Sequence, residues 1–116
     1  MSGYVYLAHL SIPRDMEDAF NALYDSGYVP NLLQVPGVRA CRRFKLEWSD
    51  SEMPEYLAFY EVDSPDVPKS AAWKEASVRC GWAEKIRPHL TTRRHGLFRE
   101  LSQAESEAAS AIPPGT

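Results

Sequence analysis

Residues 4–11 carry apolar or aromatic side chains at most positions of both alternating sets, which is typical of a β-strand covered on both faces. Residues 55–63 have the same character. Because neither proline nor glycine interrupts them, they are predicted to form a central strand. Residues 38–48 and 90–101 mix apolar residues with arginine and lysine, which favours edge strands whose charges face water.

Two other segments repeat their apolar residues with the period of an α-helix. In the first, Asp15 is predicted to cap a helix. The apolar stripe of this helix consists of Met16, Ala19, Phe20, Leu23 and Tyr24. Gly27 is predicted to end the helix in the left-handed conformation, and Pro30 to begin a short second helical turn. Pro36 and Gly37 then predict a turn before the next strand.

The second helical segment spans residues 70–87. Its apolar stripe consists of Ala72, Trp73, Ala76, Cys80, Ala83 and Ile86. Trp82 falls off this stripe on a helical wheel. It is therefore predicted to pack on the chain's own connecting segments or on a partner chain.

The order of predicted elements is β, α, β, β, α, β, which indicates an α+β fold with a four-stranded antiparallel sheet of the ferredoxin-like plan. Right-handed crossovers place the first and third strands in the centre of that sheet. Helices on one side cover only one face, whereas both faces of the central strands are apolar. The pattern therefore predicts a homodimer in which two sheets pack face to face.

The composition of the 116-residue chain, with 44% hydrophobic residues, supports one core and hence one domain. We expect that domain at residues 1–101 and a mobile tail at 102–116, which is poor in bulky apolar residues. A net charge of −3 argues against nucleic-acid binding. Cys41 and Cys80 lie in different elements without metal-ligand spacing, so we expect reduced thiols, no metal and a cytoplasmic location. No signal peptide or membrane-length apolar run is evident, so no membrane association is expected.

Three stretches carry a resemblance to a known family: AFNALYDSGYVPNLLQVPGVRACRRF, YLAFYEVDSPDV and KSAAWKEASVRCGWAEKIRP. Together they make residues 3–101 resemble the dimeric α/β-barrel superfamily, in particular its small EthD-like proteins. Tyr24, Asp25 and the Pro-Gly turn match the usual family stretch. Leu23 stands in place of a tryptophan, and Tyr28 in place of a histidine.

The resemblance implies a ligand cavity between the sheet and the helices of each protomer. It also implies chemistry on small molecules, since the superfamily includes cofactor-free oxygenases, cyclases, isomerases, decarboxylases and haem-degrading enzymes. Fold alone does not choose among these reactions. No histidine matches a haem-ligand position, so we expect no haem and no other cofactor.

His9 and Tyr28 are the candidate catalytic residues. His9 would accept a proton at neutral pH, although a hydrogen-bonded structural histidine is the competing interpretation. Tyr28 would donate a hydrogen bond, since a phenol is protonated at pH 7. The candidate ligand-binding residues are Tyr6, Phe20, Tyr24, Asp25, Arg43, Tyr60, Trp73 and His95. The aromatic residues would line the cavity or simply fill the core. Arg43, together with Arg42, Arg93 and Arg94 on the edge strands, would bind an anionic group or merely protect the sheet edges.

Two main function classes follow. The first is a cofactor-free enzyme acting by proton transfer on an aromatic or apolar, possibly anionic, metabolite. The alternative is a non-catalytic protein that binds such a ligand, which the missing family histidine favours. A third class, RNA binding on the sheet face, lacks the basic and glycine-rich pattern that such a surface requires.

Overall fold

A computed structural model describes residues 3–101 as four strands and four α-helices joined by single helical turns, and the predicted tail at 102–116 lies outside the described residues. The strands and helices are β1 (Tyr4–Ser11), α1 (Glu17–Leu23), α2 (Val29–Leu33), β2 (Val38–Lys45), β3 (Tyr56–Val62), α3 (Ala71–Val78), α4 (Trp82–Lys85) and β4 (Thr92–Arg99). Between α1 and α2 the chain forms a π-helical turn, Tyr24–Tyr28, and 3-10 turns occupy Arg14–Met16, Val67–Lys69 and Arg87–His89.

The four strands form one antiparallel sheet in the order β2-β3-β1-β4. The apolar strands β1 and β3 are central and the arginine-bearing strands are at the edges, so the predicted α+β ferredoxin-like topology is confirmed. β2 ends at Lys45, three residues before the predicted end at position 48, and β4 is shorter than predicted at both ends.

The two faces of the sheet differ in what covers them. The residues of the central strands that face the helices are nearly all buried: Ala8, Leu10, Tyr56, Ala58, Tyr60 and Val62. On the opposite face, Val5, Leu7, Leu57 and Phe59 are half-buried within this single chain. The helices therefore bury one apolar face and leave the other open.

The first helical segment does not end at Gly27, contrary to the sequence prediction. Gly27 has a negative φ and the chain continues through the π-helical turn into α2. A Cβ on Gly27 would lie 2.9 Å from Cβ of Cys80. Glycine is thus required here for close helix packing and not for a left-handed cap.

The second helical segment is interrupted, also contrary to prediction. Gly81 adopts φ 82°, which ends α3 and starts α4 with a new phase. Trp82 is consequently 3% exposed and packs inside its own protomer, although a continuous helix would turn it away from the stripe. The prediction that it contacts another part of its own chain is confirmed, and the physical reason is this break.

Candidate functional site

A cavity of about 290 Å³ lies between the sheet and the helices, at the small end of the range typical of ligand sites. It draws residues from β1, β3, β4, the π-helical turn, α3, α4 and the turn after α4. Hollows of 440 to 550 Å³ elsewhere on the protein are open surface depressions that lack this enclosing aromatic wall. We therefore take the sheet–helix cavity as the candidate site.

Tyrosine and tryptophan rings form a large part of the cavity wall. The Trp73 ring contacts Tyr6 and Tyr60 edge-on, each with ring centroids 5.3 Å apart. Trp82 packs against Tyr28 at 4.6 Å on the other side. Such walls offer both ring faces and ring edges, a combination that suits a flat aromatic ligand.

A buried pair of tyrosine hydroxyls lies at the back of the cavity. The hydroxyl oxygens of Tyr24 and Tyr60 are 2.7 Å apart and share a hydrogen bond. Burial raises the pKa of both phenols, so both stay protonated at neutral pH. Burial also raises the pKa of the neighbouring Cys41 thiol to about 11, which keeps it from acting as a thiolate nucleophile.

The π-helical turn positions Tyr28. Because Tyr24 and Tyr28 are four residues apart, they lie on the same side of the turn, with ring centroids 5.0 Å apart. Single π-helical turns occur frequently at functional sites. Burial raises the pKa of Tyr28 to about 12 despite the nearby guanidinium groups of Arg87 and Arg93, so its hydroxyl is a hydrogen-bond donor at pH 7.

His95 lies at the mouth of the cavity on the edge strand β4 and is exposed to solvent. Its ring stacks on Tyr6, with centroids 5.7 Å apart and planes 20° from parallel. Partial burial, together with the positive charges of Arg93 and Arg87, lowers the pKa of His95 below its ordinary 6.5. The imidazole is therefore neutral at pH 7 and can accept a proton.

This lowered pKa predicts a pH dependence of stability. In the window from about 6.5 down to the pKa of folded His95, the unfolded chain binds more protons at this site than the native chain does. The free energy of unfolding should therefore fall as pH decreases through that window. Urea unfolding at a series of pH values should show a shallower fall for His95→Gln than for the wild type.

The control for this measurement is His89→Gln, which replaces an exposed histidine in the turn after α4. It should keep the wild-type slope. Equal slopes for the wild type and His95→Gln would contradict a depressed pKa at this position.

Cationic side chains complete the site. Lys74 and Arg93 are exposed at its rim, while Arg87 is half-buried and reaches the interior. Among residues 3–101, no aspartate or glutamate lines the cavity. The site is thus positively charged in a chain whose net charge is −3.

The structure brings together six of the ten residues proposed from sequence. Those that line the cavity are Tyr6, Tyr24, Tyr28, Tyr60, Trp73 and His95. They come from β1, the π-helical turn, β3, α3 and β4. Their roles in binding or catalysis remain predictions.

His9, which the sequence suggested as a catalytic proton acceptor, does not line the cavity. It alternates with Ala8 and Leu10 on β1, so it lies on the open face, where it pairs in register with Leu57 and Arg94. The helices cover the opposite set of side chains. Proton transfer inside the cavity therefore cannot use His9 directly.

Phe20, Asp25 and Arg43 also lie outside the cavity lining. The Arg43 guanidinium pairs with Asp25 at 2.7 Å, bonds the Asn21 side chain at 2.8 Å, and sits 4.3 Å from the centroid of the Tyr24 ring. Phe20 packs on Tyr24 with ring centroids 5.6 Å apart. These three residues support Tyr24 from behind and do not contact the cavity space.

Eight lining residues are not among the ten site residues proposed from sequence: Ala8, Leu10, Lys74, Ser77, Val78, Trp82, Arg87 and Arg93. Lys74 and Ser77 follow Trp73 at one- and four-residue spacing on α3, and this periodicity could have suggested Ser77. Trp82 and Arg87 could not be placed because both follow the unpredicted break at Gly81.

Within residues 3–101, no three His, Cys, Asp or Glu side chains come together in a way that could hold a metal ion. None of the helices in this range combines the length and apolar character needed to cross a membrane.

Solved structures with the same arrangement of strands and helices identify the fold. An EthD family protein from Bacillus halodurans C-125 is 16% identical with a TM-score of 0.57, covering 80% of this chain and 96% of that one. A candidate monooxygenase from Shewanella loihica PV-4 is 18% identical with a TM-score of 0.61, covering 88% and 98%. The chain therefore has a ferredoxin-like fold.

A third protein of this fold, from Thermobifida fusca YX, is a dimeric ferredoxin-like protein of unknown function. It is 15% identical with a TM-score of 0.55, covering 84% of this chain and 91% of that one. No family model matches the chain, and no curated protein matches its sequence. The resemblance inferred from sequence is thus confirmed at the level of the ferredoxin-like fold, which the EthD family protein shares.

Proposed function

We propose that this protein binds a small aromatic metabolite in the sheet–helix cavity and catalyses proton transfer on it, with His95 as the proton acceptor. The observation that carries the proposal is a neutral imidazole facing an aromatic cavity that also contains a protonated phenol, Tyr28. An acceptor and a donor of protons on opposite sides of one small cavity are the groups that general acid–base catalysis requires.

The step can be written with the groups that are present. A carbon acid next to a carbonyl loses its proton to a nitrogen of His95, and the electron pair moves onto the carbonyl oxygen. The Tyr28 hydroxyl donates a hydrogen bond to that oxygen, and the positive charges of Arg87 and Arg93 stabilise the enolate. The imidazolium then returns its proton, at the same or another atom of the substrate.

The structural relatives give limited support. The Shewanella loihica protein is a candidate monooxygenase, which agrees with an enzyme on this fold. Since the fold hosts many activities, the assignment to proton transfer rests on the groups in the cavity.

Hydrogen–deuterium exchange provides the test. Phenylpyruvate and its methyl ester both carry an aromatic ring and an exchangeable carbon acid. Either compound should exchange with D2O faster in the presence of the protein, as followed by proton NMR after subtraction of buffer-catalysed exchange. Binding of both compounds without acceleration would reject catalysis and support the alternative function, a non-catalytic binding protein.

That alternative has an observation of its own. Tyr28 stands where the resemblance implies a histidine, and its pKa near 12 prevents it from replacing that histidine as a base at pH 7. A binding protein would need the aromatic wall and Tyr28 but not a proton acceptor.

We also propose that the open sheet face forms a homodimer. Phe44 and Phe98 are 47% and 53% exposed on this face, beside the half-buried Leu7 and Leu57. A single chain leaves this apolar surface in water, whereas a second copy would cover it and bury on the order of 2,000 Å² in total. The dimeric relative from Thermobifida fusca supports this proposal.

Light scattering at micromolar concentration should return twice the 13.1 kDa mass of the chain. Leu7→Asp should shift the protein towards the monomer, because it places a charge at the centre of the open face. Leu33→Asp, at a 42% exposed leucine in α2, is the control and should remain dimeric. A wild-type mass of 13.1 kDa would refute the dimer.

We place this function in residues 1–101 and in the cytoplasm. Cys41 and Cys80 are both free thiols, which agrees with a reducing compartment.

A further inference from the structure

The side chain of Arg87 has a buried polar atom without a partner. Its Nε atom is buried and forms no hydrogen bond with any group in residues 3–101. The residue follows Ile86, which is 2% exposed and anchors the end of α4, so the backbone that carries Arg87 is fixed. A buried charged donor without an acceptor is costly, and native structures seldom contain one without a reason.

Within residues 3–101, no neighbouring carboxylate neutralises the charge of Arg87. The ion pairs of residues 3–101 join Arg39 to Asp63, Arg43 to Asp25 and Lys45 to Glu17, all away from the cavity lining. Within the same part of the chain, no carboxylate pairs with Arg87 or faces the cavity. The excess of positive charge in the cavity is therefore local and uncompensated.

We propose that the ligand of this site is an aromatic carboxylate, whose carboxylate group binds Arg87 and whose ring packs against Trp73 and Trp82. This inference rests on the aromatic-ligand site proposed above and adds the charge of the ligand. The two terminal nitrogens of a guanidinium form a parallel pair of donors that matches the two oxygens of a carboxylate. A phosphate ester would bring further negative charge. The cavity offers one partly buried guanidinium, that of Arg87, whereas Lys74 and Arg93 are exposed at the rim, so a singly charged carboxylate matches the buried charge better.

A pair of matched probes tests the charge of the ligand. Benzoate and benzamide have the same ring and nearly the same shape, but only benzoate is an anion at pH 7. Quenching of tryptophan fluorescence by a ligand beside Trp73 and Trp82, checked by titration calorimetry, measures both affinities. Benzoate should bind about 10-fold more tightly than benzamide, the factor expected for one charge-assisted hydrogen-bond pair.

Variants then locate the effect. Arg87→Gln should reduce benzoate affinity to the level of benzamide and leave benzamide affinity unchanged. Arg87→Lys should restore part of the preference, because it keeps the charge and loses the parallel donors. Arg79→Gln, at an exposed arginine at the end of α3, is the control and should bind both probes like the wild type.

Several results would overturn the proposal. Equal affinities for benzoate and benzamide would reject a carboxylate ligand but would leave the aromatic site intact. Deuterium exchange of the phenylpyruvate methyl ester would still test catalysis separately. An Arg87→Gln variant that weakens both probes equally would make Arg87 structural. Tighter binding of phenyl phosphate than of benzoate would replace the carboxylate by a phosphate ester.

A measurement on the wild-type protein tests the proposal even if a variant fails to fold. Added NaCl should weaken benzoate binding and leave benzamide binding unchanged, since salt screens only the charged interaction. An identical salt response of the two probes would reject the carboxylate without any substitution.

Discussion

Replacing Trp82 by alanine is expected to lower the free energy of unfolding by about 3–5 kcal/mol, the range typical of large aromatic residues removed from a core. The side chain is 3% exposed, and its ring lies within 6 Å, centroid to centroid, of three other aromatic rings. Those rings belong to Phe20, Tyr24 and Tyr28. Removing the indole leaves a void that this interlocked cluster cannot readily fill. Since small domains are stable by about 5–15 kcal/mol, the loss is a large fraction of the total.

Urea unfolding monitored by circular dichroism measures this change. Trp48→Ala is the matched control, because Trp48 is 78% exposed in the connection between β2 and β3. That control should change stability by less than about 0.5 kcal/mol, as surface substitutions usually do. A loss below about 1 kcal/mol for Trp82→Ala would show that the cluster is loosely packed. The same variant should weaken benzamide binding, because Trp82 is part of the cavity wall.

Replacing His95 by glutamine is expected to reduce protein-catalysed exchange of phenylpyruvate by about 10²–10⁴-fold, the usual contribution of a general base. Glutamine keeps a similar size and can still hydrogen-bond, but it cannot accept a proton at neutral pH. Because the pKa of His95 lies below 6.5, the wild-type rate should be level near pH 7 and fall on the acid side of that pKa, where the imidazole becomes protonated. The variant should lose this acid limb of the profile.

Two other histidines serve as controls for this experiment. His89→Gln replaces an exposed residue away from the cavity lining, and His9→Gln replaces a residue on the open face of the sheet. Both variants should retain wild-type exchange and the same pH profile. An unchanged rate in folded His95→Gln would exclude His95 as the base. If in addition the probes still bound, the binding-protein alternative would replace the enzyme proposal.

The candidate site was only partly predictable from sequence. Tyr6, Tyr60 and Trp73 could be proposed because aromatic residues on a central strand and on the apolar stripe of a helix point to the same core. His9 was misplaced for a reason that concerns β1 itself. Both alternating sets of that strand are apolar, so its pattern does not show which set the helices cover. Tyr6 and His9 belong to opposite sets, and only one of them could line the cavity.

Arg87 illustrates the opposite limit. In the sequence it is one more basic residue near a helix end, where arginine is common because it complements the helix dipole. Its buried, unpaired Nε follows from the way in which α4 restarts after Gly81 and brings the turn against the cavity. The spacing of residues in the sequence does not indicate that this turn packs against the cavity.

The sequence by itself determined the sheet: uninterrupted apolar runs in β1 and β3, with charged residues in β2 and β4, leave one arrangement that buries the apolar strands and solvates the charges. Only the tertiary structure decided how the two helical segments are divided. Gly27 and Gly81 look alike in the sequence, yet one lies in a continuous helical segment against Cys80 and the other adopts the left-handed conformation. A glycine permits either outcome, and the choice depends on what packs against it after the chain has folded.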